Sequence, residues 1–157
     1  MSVRLTQFLD EQKVSYKTIV HATTYTAQET AQMVHIKGRE IAKSVIVKID
    51  GEMVMVVVPA SRQVDLEALK RVSGANAVEL AAEAEFRGKF PECDTGAMPP
   101  FGNLYGMRVY VDESLTKDKE IAFNACNHNE LIQMAYDDFA RVARPQVVAS
   151  VASAAAA

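Results

Sequence analysis

The sequence predicts a mixed α/β (α+β) fold, a strongly curved mixed sheet with helices packed on it. Three observations carry that prediction. Strand-like and helix-like segments do not alternate strictly, which disfavours a doubly wound parallel sheet. The run "KSVIVKIDGEMVMVVVPA" places two β-rich stretches around Asp50-Gly51, a favoured tight-turn pair. Helix-start signals at Thr26 and Asp65 introduce short helices on either side of that hairpin.

Each element follows in chain order. Val3, Leu5, Phe8, Leu9 and Val14 fit the apolar stripe of an opening helix, and "SYKTIV" (15–20) reads as a strand. Thr26 with Glu29 three residues on is a capping-box signature, predicting a helix to about Val34 that Gly38 breaks. In the hairpin, "MVMVVV" is apolar at every position, as in a central strand covered on both faces. Asp65 should cap a helix over 66–72 that Gly74 stops. "VELAAEAEF" (78–86) suggests another short helix. "MRVYVD" (107–112) and "EIAFNA" (120–125) read as strands, and "ELIQMAY" (130–136) as a third. "DDFARVA", capped by Asp137 or Asp138, should close the domain as a helix.

The expected organisation is one domain over 1–145 and an Ala-rich tail over 146–157, "QVVASVASAAAA" having the low complexity of a free segment. The start of the chain lacks the apolar centre of a signal peptide, and no apolar run approaches a membrane span, so the expected location is cytoplasmic, without a membrane partner. With a net charge of −3, the chain lacks the basic character of a protein that grips long duplex nucleic acid, though a short nucleic-acid end remains within reach. Cys93 and Cys126 are the only cysteines and are expected as free thiols, the usual state of a cytosolic pair. Cys126 and His128 find no second ligand pair at structural zinc spacing, so neither a metal nor a cofactor is expected.

A few residues could carry chemistry. In a strand from 43 to 49, Lys43 shares a face with Val45, Val47 and Ile49, while Ser44, Ile46 and Lys48 share the other. Lys43 opens the more apolar face. Its ammonium either snorkels to the strand end or stands at a pocket rim, placed to hold a carbonyl or phosphate oxygen. "CDTGAMPPFGN" (93–103) is either a surface turn or a stiff backbone wall. There Gly96 allows close approach and positive φ, and Pro99-Pro100 fixes the N–H groups of Gly96, Ala97 and Met98. His128 is a general acid or base, a hydrogen-bonding anchor, or an idle loop residue, and His21 and His35 are weaker candidates. No nucleophile elbow, Walker loop or dinucleotide fingerprint occurs.

"HATTYTAQETAQMV", "IAKSVIV", "MVMVVVPA", "GAMPPFG" and "FNACNHNELIQM" stand in the order seen in the YbaK/ProX family of aminoacyl-tRNA deacylases, relatives of the editing domain of bacterial prolyl-tRNA synthetase. The resemblance spans roughly residues 1–145. The loop has the family's G-x-x-x-P form through Gly96 and Pro100, and Lys43 matches its functional lysine. Cys126 stands where Gly is expected, and a Cys there would be strained if the position needs positive φ.

The resemblance implies a curved, partly open barrel-like mixed sheet and hydrolysis of the ester joining a wrong amino acid to the terminal adenosine of tRNA. That ester is already activated, so positioning, carbonyl polarisation and a placed water suffice without a nucleophilic triad. In relatives the substrate's own ribose hydroxyl is thought to assist. Implied catalytic residues are Lys43, Gly96 and His128. Implied substrate contacts are Tyr25, Thr26, Ser44, Ala97, Met98, Pro99, Pro100, Phe101 and Gly102. The implied partner is the acceptor end of mischarged tRNA, with an aminoacyl-tRNA synthetase as a further candidate. Two other readings are a binding module that kept the pocket without hydrolysis, and an interaction protein that docks through its Ala-rich tail.

Overall fold

In a computed structural model, which describes residues 3–149 and 151–154, the chain forms a mixed α/β fold. The opening elements are α1 (Val3–Glu11), β1 (Tyr16–Val20) and α2 (Ala27–Val34). Thr26 caps α2 as the sequence predicts. Its hydroxyl oxygen accepts from the Glu29 N–H at 3.1 Å, and its hydroxyl donates to Glu29 Oε1 at 3.0 Å.

The hairpin pairs β2 (Ala42–Ile49) with β3 (Glu52–Pro59) in antiparallel register. Asp50 and Gly51 both turn at positive φ, as a two-residue mirror-image turn requires. β3 is the predicted central strand. Val54 through Val58 are fully buried, with Met55 and Val57 in one core cluster and Val54, Val56 and Val58 in another. β4 (Arg62–Val64) and α3 (Leu66–Ser73) follow, with Asp65 accepting from Ala68 N–H and Gly74 closing α3 in the left-handed region. The remaining elements are β5 (Val78–Leu80), α4 (Glu83–Phe86), β6 (Val109–Asp112), β7 (Glu120–Asn124), β8 (Glu130–Ala135), α5 (Tyr136–Ala143), β9 (Gln146–Val148) and β10 (Ala152–Ala154).

The strands form a five-stranded sheet in the order β5-β2-β3-β6-β9, a three-stranded sheet β1-β8-β7 and the pair β10-β4. β6 runs parallel to both of its neighbours, β3 and β9, so the larger sheet is mixed. The main core cluster includes Leu5, Leu9, Met55, Val57, Phe101, Phe123, Ile132 and Phe139, drawn from both sheets and from α1 and α5. A second cluster lies on the other face of the larger sheet, joining Val47, Val56 and Val58 to Leu69 of α3. Among the described residues, no helix is long and apolar enough to cross a membrane.

Four expectations need correction. The segment 78–86 is not one helix, because Val78–Leu80 pairs with β2 at Val47–Ile49 and only 83–86 turns as α4. α5 begins two or three residues earlier than a cap at Asp137 or Asp138 implies, with Ala135 at its cap position. Asp137 and Asp138 lie in its first turn, where carboxylates still favour the helix dipole. Residues 146–149 and 151–154 are not a free tail, and 155–157 lie outside the described residues. β9 extends the large sheet, β10 pairs with β4, and Val148 and Val151 are buried. The buried Asp112 carboxylate holds this return by accepting from the Val151 and Ala152 N–H groups at 2.9 and 3.1 Å. Finally, Cys93 and Cys126 are joined as a disulfide and are not free thiols.

Candidate functional site

The two larger sheets meet at one isolated parallel bridge, Ile41 to Ala122. Beyond it β2 and β7 diverge. β5 covers β2 only at Val47–Ile49, and Ala81 donates to the Ile46 carbonyl at 3.0 Å. The edge of β2 before that point is open. Ile41 O accepts from Ala60 on the β3 side while Ile46 O points to Ala81, so the alternation of a strand turns the Ser44 N–H and C=O to the open edge.

A cleft of about 320 Å³ lies along this edge. Ser44, Val45 and Ile46 form one wall, and Thr95, Gly96 and Met98 form another. Leu80, Ala81, Glu83 and Phe86 close one side. Lys48 fastens that side to β2 by binding Glu85 at 2.8 Å and Glu79 at 3.3 Å. The hydrogen bond from Lys48, then that from the Ala82 N–H, hold the Glu85 carboxyl below its usual range. The Ser44 hydroxyl is buried with no hydrogen-bond partner among the described residues, a polar group left over in an otherwise apolar wall.

The loop wall is rigid for a reason the sequence only partly shows. Ala97 through Gly102 are buried, so this is not a surface turn. The Ala97 N–H is already spent on the Asp94 carbonyl at 3.0 Å, and its carbonyl accepts from Cys126 N–H at 3.0 Å. Of the three N–H groups expected to face a ligand, those of Gly96 and Met98 remain without a partner among the described residues. Gly96 sits at φ +87°, and an added Cβ would meet only His128 Cε1 at 3.7 Å.

Phe101 and Gly102, expected as substrate contacts, serve the core instead of lining the cleft. The Phe101 ring packs edge-on against Phe8, Phe123 and Phe139. A Cβ on Gly102 would press to 2.8 Å from Val109 Cγ2 and 3.1 Å from the Met107 carbonyl. Pro99 and Pro100 are also buried and stiffen the entry to this anchor.

His128 stands in the β7–β8 loop beside the wall. Its Nε2 lies 3.1 Å from the Thr95 carbonyl. A carbonyl can only accept, so Nε2 is the nitrogen that donates here, and in the neutral ring Nδ1 is then the acceptor. Tyr25, three-quarters exposed, covers the imidazole with ring centroids 5.3 Å apart. The loop before α2 is tied here as well, through His21 N–H to Asn129 O and Thr24 N–H to His128 O. Thr26 lies on the far side of that tie as the α2 cap and fronts a separate depression with Gln32 and Ser61. If capping is its main work, Thr26→Ala should cost about 1 kcal/mol in a denaturant titration and leave turnover within about twofold.

Lys43 precedes Ser44 in β2, close to the point where the sheets part. It is half-buried, and among the described residues its ammonium has no ion-pair or hydrogen-bond partner. Burial pushes it below the usual lysine value. Thus Ser44, Gly96 and Met98 share the cleft, with His128 and Tyr25 beside Gly96, whereas Lys43 does not line it and lies on the strand face of Val45 and Val47. Sequence reading missed Thr95, Phe86 and the 80–83 side. The path of the 93–98 loop brings in Thr95, and the pairing of β5 with β2 brings in the rest, where three residues of strand leave little periodicity to detect.

A profile of the aminoacyl-tRNA editing domain matches residues 21–142. The chain belongs to the aminoacyl-tRNA editing domain family. This is the YbaK/ProX family of aminoacyl-tRNA deacylases, which are ester hydrolases. The multifunctional Ser/Thr-tRNA deacylase ProXp-y of Escherichia coli K12 is 25% identical over 150 residues, covering 92% of this chain and 89% of that protein. The proline–tRNA ligase of Bacillus mycoides is 24% identical over 106 residues, which is 68% of this editing-domain chain and 19% of the ligase. Among solved structures, a hypothetical protein superposes with a TM-score of 0.82 at 20% identity, covering 96% of this chain and 99% of its own. A candidate trans-editing enzyme for prolyl tRNA synthetase superposes with a TM-score of 0.80 at 22% identity, covering 95% and 97%. These superpositions establish the shared fold.

Proposed function

We propose that this editing-domain chain is a trans-acting, cytoplasmic hydrolase of mischarged tRNA, cleaving the ester between a wrong amino acid and the terminal adenosine in the cleft between β2 and the 94–98 loop. The observation that supports this most is the pairing of unspent donors with an open strand edge. Among the described residues, the Gly96 and Met98 N–H groups lack partners on one wall, and the Ser44 hydroxyl lacks one on the other. Such fixed donors can take the charge that grows on an ester oxygen during attack, with no reorganisation at the moment of reaction. Lys43, the residue before Ser44 in β2, is not among the residues that line the cleft, and would have to reach the substrate around the strand end. His128, with Nδ1 free to accept, can orient a water or a ribose hydroxyl. Nothing in this arrangement requires a nucleophilic side chain, because the ester is activated and its two ends need only be held.

The deciding experiment is a deacylation screen across mischarged tRNAs, with seryl-, threonyl-, alanyl- and cysteinyl-tRNAs offered first. Release of at least one amino acid well above the uncatalysed rate is the expected result. No release from any member would leave a binding module in its place. Stimulation by a cognate synthetase belongs in the same screen, since the ligases that match carry a comparable segment inside a larger chain.

Recognition should be confined to the acceptor end. With 17 basic against 20 acidic residues, few phosphates can be neutralised at once. The dependence of log Kd on log salt should correspond to about one to three released counterions. A slope matching six or more would reveal an extended basic surface and reject an end-only contact.

A further inference from the structure

We propose that Cys93 and Cys126 form a reversible redox site that sets the order of the catalytic loop, the disulfide state being the one competent for deacylation. The activity readout rests on the function proposed above, whereas the order readout does not.

The disulfide closes across the two segments that build the site. Cys93 opens the loop that carries Thr95, Gly96 and Met98, and Cys126 stands two residues before His128. Asp94 N–H donates to Cys126 O at 2.8 Å, and Cys126 N–H donates to Ala97 O at 3.0 Å. The covalent link therefore doubles a short backbone ladder, with the His128–Thr95 contact at its far end. Cys126 holds φ +72°, a left-handed conformation that costs an L residue with a side chain some free energy and that the surroundings must hold. Without the link, the two backbone hydrogen bonds of Cys126 and the His128–Thr95 contact remain to hold the two segments together, and on this proposal they loosen as a unit.

The surroundings suit exchange as well as closure. Cys93 is partly exposed while Cys126 is buried, so Cys93 is the sulfur a solution thiol or disulfide meets first. The Tyr105 hydroxyl lies 3.8 Å from one sulfur and 3.9 Å from the other while donating to Glu92 at 2.7 Å. It can turn to solvate a thiolate. Disulfides that persist in a reducing compartment are mostly transient or redox-sensing. The co-reactant is a low-molecular-weight disulfide. The Cys93 thiolate attacks it and forms a mixed disulfide with release of one small thiolate. The Cys126 thiolate then attacks the Cys93 sulfur and expels the second. Two protein thiols are oxidised, one small disulfide is reduced to two thiols, and the two protons pass from the cysteines to them.

The test equilibrates the full chain in buffers of reduced and oxidised glutathione at several ratios. It follows intact mass, amide exchange across 94–98 and 125–129, and deacylation. Conversion by the mass of two hydrogens is expected at intermediate ratios. Faster exchange in both segments and a kcat/KM at least fivefold lower should accompany the reduced form. Cys93→Ser should match reduced wild type and ignore the ratio. Should it fail to fold, Cys93→Ala is measured, and the wild-type series already reports the switch. Equal exchange in both states would overturn the proposal whatever the activity shows. Altered exchange with equal, measurable deacylation would overturn the catalytic link alone. Absence of any deacylation would count against the function proposed above and leave the loop switch standing on its exchange data. Zinc uptake by the reduced protein that restores order through Glu92 and the two thiolates, whose ligand atoms lie within 4.8 Å of one another, would make this a metal site and overturn the redox assignment.

Discussion

Lys43→Ala should lower kcat/KM for deacylation by one to two orders of magnitude, about 1.4–3 kcal/mol of transition-state stabilisation. Lys43 stands two residues after the bridge that joins the sheets, half-buried and with its ammonium unpartnered among the described residues. A cation is kept in such a place at a cost, because burial disfavours its charged form. The sign of that cost is testable. A lysine whose folded value lies below its unfolded one binds its proton more weakly when folded. The penalty is therefore fully present below the folded value and lifts as pH rises through it toward the unfolded value. Lys43→Met keeps the apolar stem without the charge. It should unfold no earlier than wild type at neutral pH while losing activity like Lys43→Ala. Wild-type turnover should also decline on the alkaline side before an ordinary lysine would titrate, and Lys43→Met should lack that limb. Unchanged kcat/KM in both variants would reject the role.

The fold is legible wherever local chemistry is sufficient. Thr26 with Glu29, Asp65 with Gly74, and Asp50 with Gly51 each satisfy backbone groups within a few residues, so their signatures survive in the sequence. The all-apolar β3 reads correctly as a central strand for the same reason, since burial on both faces removes alternation. What failed is long-range. Val78–Leu80 looks helical beside "AAEAEF" until β2 offers it an edge. Gln146–Val148 looks like a tail until β6 pairs with it and Asp112 caps the return. In the candidate site, the glycine and the lysine were visible as types, but Ala97's spent N–H was not, because the Asp94 turn that consumes it is a matter of path. Phe101 looked like a substrate contact by its place in the loop, and only the three rings around it show that it anchors the wall from behind. The positive φ suspected at Cys126 is present, and the disulfide that accompanies it had no sequence signature beyond the two residues themselves.

Gly96→Ala should reduce kcat by 10- to 100-fold, about 1.4–2.7 kcal/mol, and cost only about 1 kcal/mol of stability. The two effects have separate causes. At φ +87° any Cβ is strained, which accounts for the stability cost. The methyl meets no protein atom closer than His128 Cε1 at 3.7 Å, so it does not clash with the fold. It occupies space between the imidazole and the cleft, where the proposed reaction would place the ester and its attacking water. Gly74→Ala separates strain from site. Gly74 has φ +68° and nothing within 4 Å of an added Cβ, and it closes α3 away from the cleft. The two variants should lose similar stability in denaturant, and only Gly96→Ala should lose turnover. Pro100→Ala should fall between them, loosening a buried wall that is anchored by Phe101 but keeping Gly96 free of a side chain. If Gly96→Ala and Gly74→Ala both turn over normally, the 94–98 loop is scaffolding and the reacting ester lies elsewhere. A bound aminoacyl-adenosine analogue contacting neither Gly96 nor Ser44 would lead to the same conclusion.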